Sequence, residues 1–527
     1  MICCLIFACT GCLSAQNDQQ LYPVGEDLYS ALAALFLEQG LAPPSGSRPF
    51  SGDEVRKALD LIEKNELSDA GRRTYSYIEK RLAPRNLYSE NENFAANASL
   101  EANLETYQHS CKDYLDWEYG YRNRLPLFRV QLEMWVAGFL YGIMDFPFRK
   151  DYFVVEEKQN NYSNIFADLG ELDANFPYRA FLSAGGSHWN LQFGRDTYSW
   201  GNGKTGNFLL SDNLHVHEGL QFSTYWKAFK FSTVYLDLEN WENSSEKAAF
   251  SKDFIAHRME FRFFRRFTLS ISEGLMYEGP DMAIKLLNPL MIYHNYFLDD
   301  RYGNIAFAAE ANINPYRWFN IYGQLLLDTL TAAYESEEFS ESIPQANGYL
   351  LGFEGKIPAG PGYISGGFEW ARSDPWLYLI EGQPDFIVER RFMSNYIGSR
   401  QLIHNTIGHQ HAPDADVFFF HAGYSMFGVF QIGSDVTIIN KGEITIDTPY
   451  RSDQEAIAMT APTGIVKKKT TTHFYGEESS FFLPGELLSE MFNIGTHLYW
   501  IHIKNDDHTT GNTVDDVQWV FSFSVKL

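Results

Sequence analysis

The chain has 527 residues, of which 16% are aromatic, yet its mean hydropathy is only -0.28. No run reaches the ~18 apolar residues of a spanning helix, and residues 134–144, which come nearest, carry two glycines. These values exclude a helical membrane protein, and a net charge of -25 argues against binding nucleic acid.

Residues 1–15 read as a secretory signal peptide, an apolar stretch ending in Ser14-Ala15 before Gln16. Cys12, after Cys9-Thr10-Gly11, leaves a lipidated start open as an alternative. Four of the five cysteines fall in this leader, so the mature chain retains Cys111 and has no internal disulfide.

Residues 16–88 are helical in pattern. Leu28, Leu32, Leu35 and Phe36 recur at helical spacing and stop at Gly40, a natural residue to end a helix. Ser51-Gly-Asp-Glu54 is a capping box opening a second helix with Val55, Leu59 and Ile62 on its buried face. Ser68 caps a third helix carrying Tyr75, Ile78 and Leu82. Three short helices are marginal alone, so the bundle is expected to lean on the remainder of the chain.

From residue 89 to 527 the period is two. His257, Met259, Phe261 and Phe263 alternate with Arg258, Glu260 and Arg262. Phe319, Ile321, Leu325 and Leu327 alternate with Asn320, Tyr322, Gln324 and Asp328. At the end, Val517, Trp519, Phe521, Phe523, Val525 and Leu527 share one parity, and Gln518, Ser522, Ser524 and Lys526 the other. One greasy and one wet face per strand, at 9–11 residues a strand, suits a transmembrane antiparallel β-barrel. At roughly 24 residues per strand and connection the barrel has about 18 strands. Glu273 breaks the rule by falling on the apolar parity; a bulge near 272–274 that turns it inward is expected.

Residues 191–213 read as a strand running into a tight loop, with Gly201, Gly203 and Gly206 permitting close backbone approach. Here the chain resembles the Wzi-type capsule assembly proteins of the outer membrane. It carries Gly194-Arg195, then Trp200-Gly201-Asn-Gly203-Lys-Thr-Gly206, then Leu209-Leu210-Ser211-Asp-Asn213. In order there follow His257-Arg258-Met-Glu260-Phe-Arg262, Ser272-Glu273, Leu287-Asn288-Pro289, Leu325-Leu-Leu-Asp328, Glu369, Ser373-Asp-Pro375-Trp376 and Pro413-Asp414-Ala-Asp416. Ala412 stands where that family more often has Gly. The resemblance implies an approximately 18-stranded barrel, a helical bundle at its periplasmic mouth, and a lectin-like role in attaching or assembling surface polysaccharide.

Several residues carry two readings. Arg195, Arg258, Glu260, Arg262 and Glu273 form either a charged lumen ladder for an acidic polysaccharide or a self-satisfied network bracing the wall. Trp200 is a sugar-stacking platform or part of an inward plug, and Asn213 and Asp328 join the same lumen set. His404, His409, His411, Asp414, Asp416 and His421 are read as a polar loop in preference to a metal site, and Lys467-Lys-Lys469 as a solvated strand end. With no nucleophile motif, no enzyme is expected. No cofactor or metal is expected either; the expected partners are outer-membrane lipid, surface polysaccharide and the barrel-insertion machinery. A porin-like channel and a surface adhesin are the alternatives.

Overall fold

A computed structural model describes residues 18–83, 88–90, 93–111, 114, 116–157, 162–213, 216–239, 251–279, 284–296, 302–328, 344, 346–380, 384–479 and 491–527. The leader expected over residues 1–15 lies outside the described residues.

Among the described residues, 18 long antiparallel strands close into a barrel. They are β1 (Phe94–His109), β2 (Phe128–Val136), β3 (Leu140–Phe148), β4 (Arg179–Gly186), β5 (Trp189–Asp196), β6 (His217–Tyr225), β7 (Phe229–Leu238), β8 (Ser251–Phe263) and β9 (Phe267–Gly279). Next come β10 (Gly303–Ile313), β11 (Phe319–Leu327), β12 (Asn347–Ala359), β13 (Gly362–Ser373), β14 (Ala415–Met426), β15 (Phe430–Lys441), β16 (Lys467–Ser479), β17 (Phe492–Lys504) and β18 (Thr513–Lys526). Closure is made by β18 on β1, from Gln518 opposite His109 to Lys526 opposite Glu101. A closed ring leaves no edge unpaired, which is the condition for crossing lipid with strands.

The parity of β18 sorts its faces. Val517, Trp519 and Phe521 are 42%, 45% and 41% exposed on the outer surface, whereas Gln518 and Val520 are fully buried inside. Val520, the apolar residue on the wet parity, packs in the lumen against Tyr107, Tyr499 and Ile501. Among the described residues no helix is long and apolar enough to cross a membrane.

Turns are mostly short at one end of the barrel, as at residues 137–139, 187–188, 264–266 and 360–361, with 480–491 the longer exception, and connections are mostly long at the other. Helices α1 (Asp27–Glu38), α2 (Gly52–Leu59) and α3 (Asp69–Leu82) sit in the short-turn end. Ser51 Oγ accepts from the Glu54 N–H at 3.3 Å, and Ser68 Oγ from Gly71 at 3.1 Å. The capping box is half made, because the Glu54 carboxylate turns away to Lys230 of β7, 2.6 Å off. Burial raises the Glu54 carboxyl to about 7, with the Lys230 ammonium opposing that shift.

Helix α1 is buried almost all round: Leu28, Leu32, Leu35 and Leu37 are 0% exposed. At about 1.5–3 kcal/mol per buried leucine, that burial is what holds a bundle too small to hold itself. Main-chain bonds weld it to the turns: Trp318 N–H to Leu37 O at 2.7 Å, and Ala42 N–H to Arg265 O at 2.9 Å.

Glu273 corrects an expectation. The β8–β9 ladder runs without interruption through His257↔Glu273 and Arg258↔Ser272, so no bulge turns it inward. It stays on the outer parity of the wall yet is 3% exposed, because the connection after β9 folds back over it.

Candidate functional site

The connection between β5 and β6 turns into the lumen. Ser199-Trp200 pairs antiparallel with Ser47-Arg48, so this loop from the long-loop end meets the bundle's linker inside the barrel. Trp200 is 2% exposed in a core with Phe208, Leu210, Phe254, Met276 and Trp376. That burial removes its ring from any sugar and makes it part of the plug. At Gly201, φ is +137°, and an added Cβ would lie 2.1 Å from Asn207 Oδ1. The glycine is required by a backbone only glycine adopts easily and by the space. Gly194 and Gly206 likewise have positive φ, and at Gly203 a Cβ would meet the Gly206 carbonyl.

Glu369 of β13 organises the turn after Gly203. Its carboxylate accepts the N–H groups of Lys204 and Thr205 at 2.7 Å each, the Thr205 hydroxyl at 2.6 Å and the Tyr322 hydroxyl at 2.8 Å. Inside a low-dielectric wall such charge-assisted bonds substitute for water. Ser211 Oγ accepts from the Asn207 N–H, and Asn213 Nδ2 donates to the carbonyls of Thr406 and Gly408 at 2.8 and 2.9 Å. Asp328, just past β11, accepts the Tyr378 N–H at 2.7 Å, and burial raises its carboxyl to about 7.

The β13–β14 connection completes the plug. It carries a hairpin, Ile387–Ser394 with Ser399–Thr406, lying over the long-loop end. Lys252–Asp385 at 2.9 Å and Arg391–Glu239 at 3.2 Å pin the hairpin to the rim. His409 stacks on Phe208 with ring centroids 4.9 Å apart, and its Nε2 lies 3.0 Å from the Thr205 hydroxyl. Burial drives His409 well below the usual imidazole range and His411 down to about 4, so both are neutral at pH 7. His404 lies against Glu389 and His421 against Asp435, and among the described residues no cluster has the makings of a metal site. Asp414 is wholly buried and accepts the N–H groups of Ile444 and Thr463 at 3.1 and 2.9 Å; Asp416 lies 3.7 Å from Arg372. Lys467, at the start of β16, is paired with Asp506 at 2.6 Å.

The expected charged ladder divides. Arg258 lies 3.1 Å from Glu260 and 3.5 Å from Glu310 in the lumen, with Ser45 of the bundle linker bonded to Glu260. Arg262 donates to the carbonyls of Ala42 and Pro43 at 2.6 and 2.7 Å. These side chains brace wall against bundle. Arg195 stands apart near the long-loop rim, paired with Glu218 at 2.5 Å and bonded to the carbonyls of Asn175 and Pro177. Glu273 faces outward, and Asn288 and Pro289 lie with it outside the wall.

Between bundle, plug loop and hairpin remains a polar cavity of about 750 Å³. Trp117, Tyr152 and Phe392 offer aromatic faces there; Asn202, Asn405 and Gln410 offer amides; Arg48, Arg122 and Arg390 offer positive charge. Burial, with the Arg195 charge adding to it, lowers the Arg390 guanidinium to about 10, so it remains charged at neutral pH. Sequence reasoning missed this set because its members come from six separate segments with no shared period or spacing. A second cavity of about 1300 Å³ lies between α3, the 426–429 turn and His497.

No protein-family model and no curated protein sequence matches the chain. Among solved structures it is similar to Wzi of Escherichia coli, described as an outer membrane protein involved in group 1 capsule assembly and a carbohydrate-binding β-barrel. The likeness covers 96% of this chain and 99% of that one, at 12% identity and a TM-score of 0.61. The OccD3 protein of Pseudomonas aeruginosa is similar over 82% of this chain and 91% of its own, at 8% identity and a TM-score of 0.42. The resemblance carried by the ordered motifs thus extends across the architecture: this chain has the fold of the Wzi barrel.

Proposed function

We infer that the protein is a non-catalytic outer-membrane barrel that binds carbohydrate and attaches or assembles surface polysaccharide. The observation that carries this reading is a lumen filled by the bundle and inward loops, which nevertheless keeps a cavity lined by aromatic faces, amides and guanidinium groups. Aromatic faces pack on the CH faces of sugars, amides bond hydroxyls in pairs, and Arg48, Arg122 and Arg390 suit acidic sugars. In this reading the signal peptide is removed, the insertion machinery delivers the barrel, and the short-turn end with its helices faces the periplasm.

Purified full-length protein retains polysaccharide on a glycan array and gives little steady conductance in planar bilayers. Replacing Arg390 and Gln410 together by alanine lowers that retention. Steady conductance with no retained glycan sinks the proposal and favours a porin-like channel, a second reading supported by the two polar lumen cavities. Silence in both assays, with binding to host ligands, is the outcome for an adhesin.

A further inference from the structure

The outer wall carries an apolar cluster that is covered by protein, where the rest of the belt is exposed. Tyr235, Ile255, Leu275 and Ile305 stand side by side on the outward parity of β7 to β10, while their neighbours Leu236, Phe254, Met276 and Ala306 face the lumen core. The outward set is covered by Leu286, Met291 and Tyr293 from the connection between β9 and β10, residues 284–296. That segment therefore folds down along the outside of the barrel. Its far side presents Leu287, Leu290 and Ile292, exposed by 42%, 83% and 55%.

Depth matters here. Glu273 lies six residues along β9 from the short turn at Phe267, roughly 15 Å up a band about 25 Å tall at the usual rise and tilt. At that depth irregular backbone must find its hydrogen bonds within the protein, because lipid offers none. The segment does so at the N–H groups of Leu290, Met291, Tyr293 and His294. The Glu273 carboxylate accepts the N–H groups of Tyr293 and His294, both at 2.9 Å. Asn288 Oδ1 accepts the Leu290 N–H at 3.2 Å, its carbonyl accepts Met291, and the Tyr293 hydroxyl donates to Leu286 O. His257 Nε2, on the same outer face, lies 3.3 Å from Glu273 Oε2, the oxygen that also accepts the Tyr293 N–H. A glutamate on the lipid parity, which would be costly bare, is thus covered by the N–H groups it accepts.

We propose that residues 284–296 form a lipid-inserted flap, with Leu287, Leu290 and Ile292 seated among the acyl chains of the long-loop leaflet and Glu273 as its internal cap. Continuity argues for lipid as the occupant: the flap adjoins the exposed outer belt at Ile271 on β9, 44% exposed. Anchored this way, the flap tethers the β9–β10 rim to the membrane surface.

The test uses the full-length protein reconstituted in phosphatidylcholine vesicles, with a photoactivatable lipid analogue carrying its carbene precursor on the acyl chain. Peptide mapping is expected to find Leu287, Leu290 and Ile292 labelled as heavily as Trp519, and the rim residue Thr510 unlabelled. The Glu273→Gln variant is expected to lose flap labelling while keeping that of Trp519, which also reports that the barrel is folded. A wild-type flap as poorly labelled as Thr510 overturns the proposal. So does a flap that resists the lipid probe while the Leu290→Cys variant cross-links to a second copy. None of these readouts depends on carbohydrate binding.

Discussion

The inner plug and the outer flap are two solutions to one problem. Each is a connection from the long-loop end that folds back along the wall, one inside and one outside. Each is held by a glutamate on a strand: Glu369 accepts the N–H groups of residues 204 and 205, and Glu273 those of residues 293 and 294. The surroundings differ. Glu369 also binds the hydroxyls of Thr205 and Tyr322, and its loop joins an apolar core reaching Trp376 and Leu377. Glu273 has His257 beside it and a smaller cluster around it. The parity of one residue decides which face of the wall a loop is tied to, and the extent of core decides how firmly.

The strongest way to break that comparison is Glu369→Ala. It strands the buried Thr205 N–H, the part-buried Lys204 N–H and two buried hydroxyls, and is expected to destabilise the plug by about 3–5 kcal/mol. Denaturant unfolding and a rise in bilayer conductance check it. Gly201→Val ranks second, since a side chain there collides with Asn207 and Gln324 in a strained backbone region. A loss of about 2–3 kcal/mol is expected, read in the same two assays. Glu273→Gln is milder, about 1–3 kcal/mol, and confined to the flap; limited proteolysis within residues 284–296 is expected to speed up with barrel closure unchanged.

Acid acts on the plug through its buried histidines. His409 and His411 are held neutral in the plug, with folded pKa values below the unfolded value near 6.5. Both contributions are complete above pH 6.5; that of His411 is lost as pH falls through about 4, and that of His409 is lost in the same direction. Protease sensitivity of residues 407–414 should therefore climb as pH falls across that window. His409→Phe keeps the stack on Phe208 and is expected to flatten the part of the profile that His409 contributes.

Much of this was legible because strand parity is a local property. The faces of β18 and β11 follow from alternation alone, and the helices from Ser51, Ser68 and a Leu/Phe stripe. The oddity at Glu273 was legible too, though its solution was not: a bulge is a local remedy, whereas the flap comes from residues about 20 further along. Trp200 shows the same limit, since a tryptophan in a glycine loop looks the same in sequence whether it awaits a sugar or fills a core. The charged residues of β8 were legible as inward, but the carbonyls of Ala42 and Pro43 that receive Arg262 were not.

By itself the sequence determined that this protein is a barrel with two-faced strands and a small helical appendage, because hydrophobic periodicity is written residue by residue. The tertiary structure decided where the appendage sits, that Trp200 is buried, that Glu273 faces outward beneath a flap, and which side chains converge on the lumen cavity. Those outcomes depend on contacts between segments up to hundreds of residues apart, such as Arg48 and Arg390 at one cavity wall. Their proximity exists only once the ring of strands has closed.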